Sequence, residues 1–153
     1  MDVTVAPEPF ESEDAQRLIR ELDQGLAQLY TPDQRFGPNF NASQIAGGRG
    51  TFLVARIDGR AVGCGAIRVL DDTTAEVKRM YVEPELRGRG VGRRVLDELE
   101  RNARELGVRR LVLETGVHQH AAIALYQHAG FTQCDCWGEY LGSATSVCYS
   151  KQL

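Results

Sequence analysis

From Met80 to Gly92 the chain reads Met-Tyr-Val-Glu-Pro-Glu-Leu-Arg-Gly-Arg-Gly-Val-Gly, an apolar strand that stops at Pro84 and opens through an Arg/Gly-rich turn into a helix. Such a turn suits an anion. The first amides of a helix have no intrahelical partner and together carry roughly half a positive charge, so a phosphate placed there meets donors in a favourable field. Gly88, Gly90 and Gly92 put no side chain in the way of a ligand oxygen and allow positive φ. Arg87, Arg89, Arg93 and Arg94 add planar forks around the same turn. Two common phosphate motifs do not fit: GxGxxG would need a glycine where Arg93 stands, and GxxxxGK[ST] would need a lysine and a hydroxyl that are absent. Taken alone, the turn could also be a solvated basic loop, since short glycine motifs recur by chance.

Charge narrows the ligand. The net charge is -3, and without the four arginines of the turn 14 basic residues face 21 acidic ones. Positive charge is therefore focused, which favours a small anion over the extended basic face that nucleic acid requires. No window approaches the roughly 18 apolar residues of a membrane span, and the acidic start from Met1 to Asp14 lacks the pattern of a secretory signal, so a cytoplasmic chain without membrane contact is expected. Cys64, Cys134, Cys136 and Cys148 have no CxxC and no scaffold spacing, so all four are expected as buried or part-buried thiols. Three histidines, His118, His120 and His128, lack the spacing and carboxylates of a metal site, and no metal is expected.

The elements that must hold this turn follow from periodicity. A short strand at Thr4 and Val5 precedes a helix capped by Ser12, with Ala15, Leu18, Ile19, Leu22, Leu26 and Leu29 on one face up to Tyr30. Thr31 to Gly50 is rich in glycine, proline and asparagine and reads as loop, with room for one short helix. Thr51–Ile57 and Ala61–Leu70 are strands joined at Asp58-Gly59, a strong hairpin signal. Ala75–Val82 completes an antiparallel meander. The main helix after the turn carries Val91, Val95, Leu96, Leu99, Ala103 and Leu106 inward and stops at Gly107. Arg110–Glu114, apolar in its centre, suggests a parallel crossover and a strand-helix-strand unit. A helix over Gln119–Ala129 and strands at Phe131–Trp137 and Thr145–Ser150 finish a single domain spanning residues 1–153.

The turn has matching neighbours. Arg87-x-x-Gly90-x-Gly92 follows a strand ending Tyr-Val-x-Pro and precedes Leu125-Tyr126-x-x-x-Gly130-Phe131. This combination resembles the GNAT superfamily of N-acetyltransferases, closely from about Glu76 to Phe131 and in element order elsewhere. The resemblance implies an α+β fold: a mixed, mostly antiparallel sheet of six to seven strands flanked by about four helices, with a central parallel βαβ unit. It also implies acetyl-CoA as co-substrate, its pyrophosphate on the amides of Arg87, Gly88, Arg89, Gly90, Val91 and Gly92, beside Arg93. Its pantetheine would pair with Met80, Tyr81 and Val82. Gln119 stands where many relatives place an asparagine on the pantetheine arm. Some relatives dimerise, so a homodimer is compatible with the resemblance.

Acetyl transfer to an amine sets the remaining demands. An alkyl amine of pKa about 10.4 is free base only about once per few thousand molecules at pH 7, so a proton acceptor helps. Glu76, eleven positions before Arg87, is the candidate base by resemblance, acting directly or through water. Its alternative is an exposed strand glutamate paired with Lys78 or an arginine. Tyr126 matches the tyrosine that can protonate the leaving thiolate, with a buried core aromatic as its alternative. The resemblance also points to a main-chain amide near Tyr81 as the donor to the developing oxyanion. The acceptor pocket is expected from Tyr30 to Gln44 and from Trp137 to Ala144, with Tyr30, Arg35, Phe36, Trp137, Glu139 and Tyr140 as candidate lining. A small amine comes first, a protein N-terminus or lysine second. A non-catalytic CoA-binding sensor is the rival of a different class.

Overall fold

A computed structural model describes residues 2–34 and 40–153. Strand β1 (Val3–Pro7) leads into helix α1 (Glu13–Leu29), whose N-terminus is capped by the Ser12 hydroxyl accepting from the Ala15 amide at 3.1 Å. Between Pro32 and Gly48 lie three single-turn 3-10 segments, where one short helix was expected. The meander then follows as β2 (Gly50–Ile57), β3 (Arg60–Val69) and β4 (Thr74–Val82). Its first hairpin turns on Asp58 and Gly59 at φ 51° and 82°, the paired left-handed conformation of a two-residue loop. Helix α2 (Val91–Glu105), strand β5 (Arg110–Gly116), helix α3 (His120–His128) and strands β6 (Thr132–Cys134) and β7 (Ser146–Gln152) complete the chain.

Among the described residues seven strands are ordered β1-β2-β3-β4-β5-β7-β6, and of these pairs only β4 and β5 run parallel. Both faces are covered. Val95, Leu96 and Leu99 of α2 pack with Leu53, Ile67, Leu111 and Leu113 on one face, while Leu18 and Ile19 of α1 meet Phe52, Val54, Cys64 and Ala66 on the other. Alternating residues of β2 thus enter two cores, which is why its centre is an unbroken buried run. Each fully buried Leu contributes roughly 1.5–3 kcal/mol.

One irregularity matters for function. Cys64 faces Tyr81 and Ala66 faces Lys78, so two residues of β4, Arg79 and Met80, oppose the single Gly65. Arg79 takes φ 58° in this bulge, and a Cβ on Gly65 would lie 2.6 Å from the Met80 sulfur and 2.8 Å from Val95. Bulges bend the strand that carries them. The parallel ladder joins Thr74, Ala75 and Glu76 to Arg110, Leu111 and Val112 and goes no further, so β4 and β5 part just beyond Glu76.

Near the C-terminus two expectations are corrected. The strand expected over Phe131–Trp137 is limited to Thr132–Cys134, after which the chain leaves the sheet for a 3-10 turn at Gly138–Tyr140. Instead of four thiols there is a disulfide between Cys136 and Cys148, with Cys64 and Cys134 free. Pairing of β6 with β7 sets Cys134 against Cys148, and the chain leaving β6 brings the Cys136 Cα to 5.2 Å from that of Cys148. Tertiary register creates this pair; a separation of twelve residues carries no motif.

Candidate active site

The anion turn is formed as its glycines require. Gly88 and Gly90 have φ 78° and 86°, and a Cβ on either would meet nothing within 4 Å, so the main chain lies open there. Gly90 is the N-cap of α2 and offers no side-chain cap, and the first helical bond is donated by the Arg94 amide to the Gly90 carbonyl at 3.1 Å. The amides ahead of it are the unpaired donors of a helix start. This open, positive-φ main chain is what a pyrophosphate needs.

Its neighbours divide into different jobs. Gly92 is a packing position, where a Cβ would lie 3.3 Å from Leu125 of α3 and 3.6 Å from Val82. Arg87 folds back, its Nε donating to the Val82 carbonyl at 2.9 Å and its guanidinium lying 5.6 Å from the centre of the Tyr81 ring. Arg93 pairs with Asp97 and donates to the His128 carbonyl, tying α2 to the end of α3. Arg89 and Arg94 are exposed. Of the four arginines grouped by sequence, two brace the turn and two face solvent beside it.

Where β4 and β5 part, a cavity of about 100 Å³ is lined by Glu76, Met80, Glu114, Gln119, Tyr126 and Tyr140, among others. Glu76 is 1% exposed, unlike the exposed strand residue of the alternative reading, but it does carry that reading's pairing with an arginine and Lys78. Its Oε1 accepts from Nε and Nη2 of Arg68, both at 3.0 Å, and its Oε2 accepts from the Tyr140 hydroxyl at 2.7 Å. Lys78 Nζ lies 3.8 Å from Oε2 and donates to Tyr140 at 3.2 Å. The alternation of β4 puts Glu76 and Lys78 on one face, and β5 adds Glu114 beside them. Burial holds the Glu114 carboxyl above its ordinary value, opposed by the Ser146 hydroxyl, which donates to it at 2.7 Å. Burial, reinforced by Glu114, raises the Tyr126 hydroxyl well above the ordinary tyrosine value, so it keeps its proton at neutral pH. Gln119 lines the cavity while its Oε1 accepts from the Gly116 amide at 2.8 Å, which closes the β5-α3 turn.

A second cavity of about 430 Å³ shares Lys78 and Tyr140 with the first and is also lined by Phe40, Arg68, Trp137 and Glu139. Trp137, Glu139 and Tyr140 therefore sit where an acceptor pocket was expected. Tyr30 does not: its hydroxyl accepts from the His118 amide at 3.0 Å and fills the space beside Gly116, bracing the β5-α3 turn. Arg35 and Phe36 lie outside the described residues. Arg68 and Glu114 were missed as site residues. Period-two alternation could have placed Lys78 beside Glu76, but strand register, which brings in Arg68 and Glu114, is not written locally.

Comparisons with known proteins show the family to which this fold belongs. The family model described as Acetyltransferase (GNAT) family matches residues 15–131. A protein of Azospirillum brasilense named IAA acetyltransferase is 39% identical over 153 residues, covering 99% of each chain. A solved structure from Klebsiella pneumoniae, of a protein assigned to the acyl-CoA N-acyltransferases, is 33% identical with a TM-score of 0.83, covering 99% of this chain and 97% of that one. The PaiA N-acetyltransferase of Thermoplasma acidophilum, solved with coenzyme A, shares the fold at 19% identity and a TM-score of 0.79 over the whole of both chains. The chain therefore belongs to the GNAT family and is an acetyltransferase, with acetyl-CoA as its co-substrate.

Proposed function

We propose that the protein transfers the acetyl group of acetyl-CoA to a primary amine of a small molecule, with Glu76 as base and Tyr126 as acid. The observation that carries this reading is that Glu76 and Tyr126 line one cavity at the point where β4 and β5 separate. The pyrophosphate sits on the amides from Gly88 to Gly92, and the pantetheine arm follows Met80–Val82 into the gap between the strands, with Gln119 beside it. The 430 Å³ cavity favours a small acceptor, since sites of such volume hold single small molecules.

The amine nitrogen attacks the thioester carbonyl carbon, the C–S bond breaks, and the amine proton passes to Glu76, directly or through the Tyr140 hydroxyl bonded to it at 2.7 Å. Charge developing on the acetyl oxygen falls beside the main chain around Tyr81, beyond the point at Glu76 where the β4–β5 ladder ends. Tyr126, holding its proton, gives it to the departing thiolate. A thiol of ordinary pKa near 8.5 leaves readily, so the acid contributes less than the base.

Thiol release from acetyl-CoA, followed over a panel of small amines and a short peptide, tests the reading. Release that depends on a small amine supports it. Tight CoA binding with no acceptor-dependent release would favour a sensor, and release with the peptide alone would favour a protein acceptor.

A further inference from the structure

The larger cavity carries a charge pattern that names its acceptor more closely. Arg68 commits Nε and Nη2 to Glu76, both at 3.0 Å, and Nη1 makes no hydrogen bond among the described residues. Lys78 commits one of its protons to Tyr140 at 3.2 Å and keeps only 10% of its side chain exposed. Two cations thus line the cavity, together with the exposed carboxylate of Glu139. Glu76 and Glu114 open on the smaller cavity, where Glu114 is tied to Ser146. Burial lowers the Lys78 amine below its ordinary value although Glu76 pulls it upward. Arg68 Nη1 and the remaining Lys78 protons are donors that an incoming anion can take up.

Distance and lining set the rest. The oxygens of Glu76 that would take the amine proton lie 3.0 Å from Arg68 and 3.8 Å from Lys78, so an amine at Glu76 has its neighbouring atoms at the two cations. Amine and anion must then be attached to the same or adjacent atoms of the acceptor. A planar carboxylate suits the fork of Arg68. Phe40, Leu70 and Trp137 give the lining an apolar and aromatic part beside the polar Gln44 and Glu139, with Trp137 set edge-on to Tyr140 at 5.3 Å between ring centres. We infer that the acceptor is an α-amino acid with an aromatic or branched apolar side chain, its carboxylate held by Arg68 and Lys78 and its side chain among Phe40, Leu70 and Trp137. This rests on acetyl transfer at Glu76.

The test compares matched acceptors on the intact protein: phenylalanine against 2-phenylethylamine, and leucine against 3-methylbutylamine, each with acetyl-CoA and followed by thiol release and product mass. The expected kcat/KM is at least tenfold higher for each amino acid, carried mainly by KM. In Lys78→Met that preference should fall towards one. The wild-type comparison alone decides the question if this variant does not fold. Equal or faster reaction of the decarboxylated amines would overturn the substrate class while leaving acetyl transfer standing. No release with any amine, in a protein that binds CoA, would overturn both.

Discussion

Replacing Glu76 with Gln separates the chemistry of the site from its architecture. The side chain keeps its shape, but the charge facing Arg68 disappears and one of the two acceptor atoms becomes a donor. Breaking one partner of a fully buried ion pair costs about 3–5 kcal/mol. Arg68 keeps 25% of its side chain exposed, so water can replace part of what is lost; about 1–3 kcal/mol is expected, or a fall in Tm of roughly 2–12 °C for a domain of this size. The rate should fall much further. Loss of a general base typically costs about 10²–10⁴-fold, and with Tyr140 and water still present the lower end, about 10²-fold in kcat/KM at pH 7, is expected. The deficit should shrink as pH rises, because the free-base fraction of the acceptor grows about tenfold per unit until its own pKa is reached. CoA affinity should hold, since Glu76 is remote from the anion turn. Thiol-release kinetics from pH 6 to 10, with CoA titrations and thermal melts alongside, measure all three. A kcat/KM within about twofold of wild type across that range, or a loss of CoA affinity matching the loss of rate, would refute the role given to Glu76.

Tyr126→Phe should lower kcat by about tenfold or less and leave CoA affinity unchanged, a smaller effect than at Glu76 because the thiolate is a fair leaving group; a loss of CoA binding in titration would make Tyr126 a packing residue instead. Gly90→Glu places a side chain at φ 86° and an anion in the cradle, so CoA binding measured by calorimetry should weaken by more than tenfold, whereas unchanged affinity would move the pyrophosphate elsewhere. Glu114 is held above its ordinary pKa by burial, so it favours the fold below the unfolded-state pKa of about 4.3 and loses that contribution as it ionises with rising pH. Glu114→Gln should therefore melt higher than wild type at pH 7 and gain little at pH 4; a gain independent of pH would contradict this. Denatured without reductant, the protein should expose two reactive thiols and, after reduction, four; reduction should cost about 2–4 kcal/mol of stability, and four thiols at the outset would exclude the disulfide.

Local chemistry made much of this molecule legible from its sequence. Asp58-Gly59, the Ser12 cap, the stop at Gly107 and the apolar stripe of α2 are each decided within a few residues, and each stands where expected. Glu76, Tyr126 and the glycine turn were singled out because they match a family pattern that runs from β4 to α3. What escaped was set by register. The bulge at Arg79 depends on how β3 pairs with β4, and Arg68 reaches Glu76 only through that pairing. Cys136 meets Cys148 because β6 pairs with β7, and Tyr140 reaches a glutamate 64 positions away because the chain leaves β6 early. Among the described residues no helix is long and apolar enough to cross a membrane.

The central claim is that donor and acceptor meet where β4 leaves β5. A crystal structure with CoA and an amino-acid acceptor tests it most directly. The pyrophosphate oxygens are expected within hydrogen-bond distance of the amides from Gly88 to Gly92, the sulfur beside the Tyr126 hydroxyl, and the amine at Glu76 with its carboxylate on Arg68 and Lys78. CoA lying outside the gap between the two strands, or a sulfur out of reach of both Glu76 and Tyr126, would contradict it.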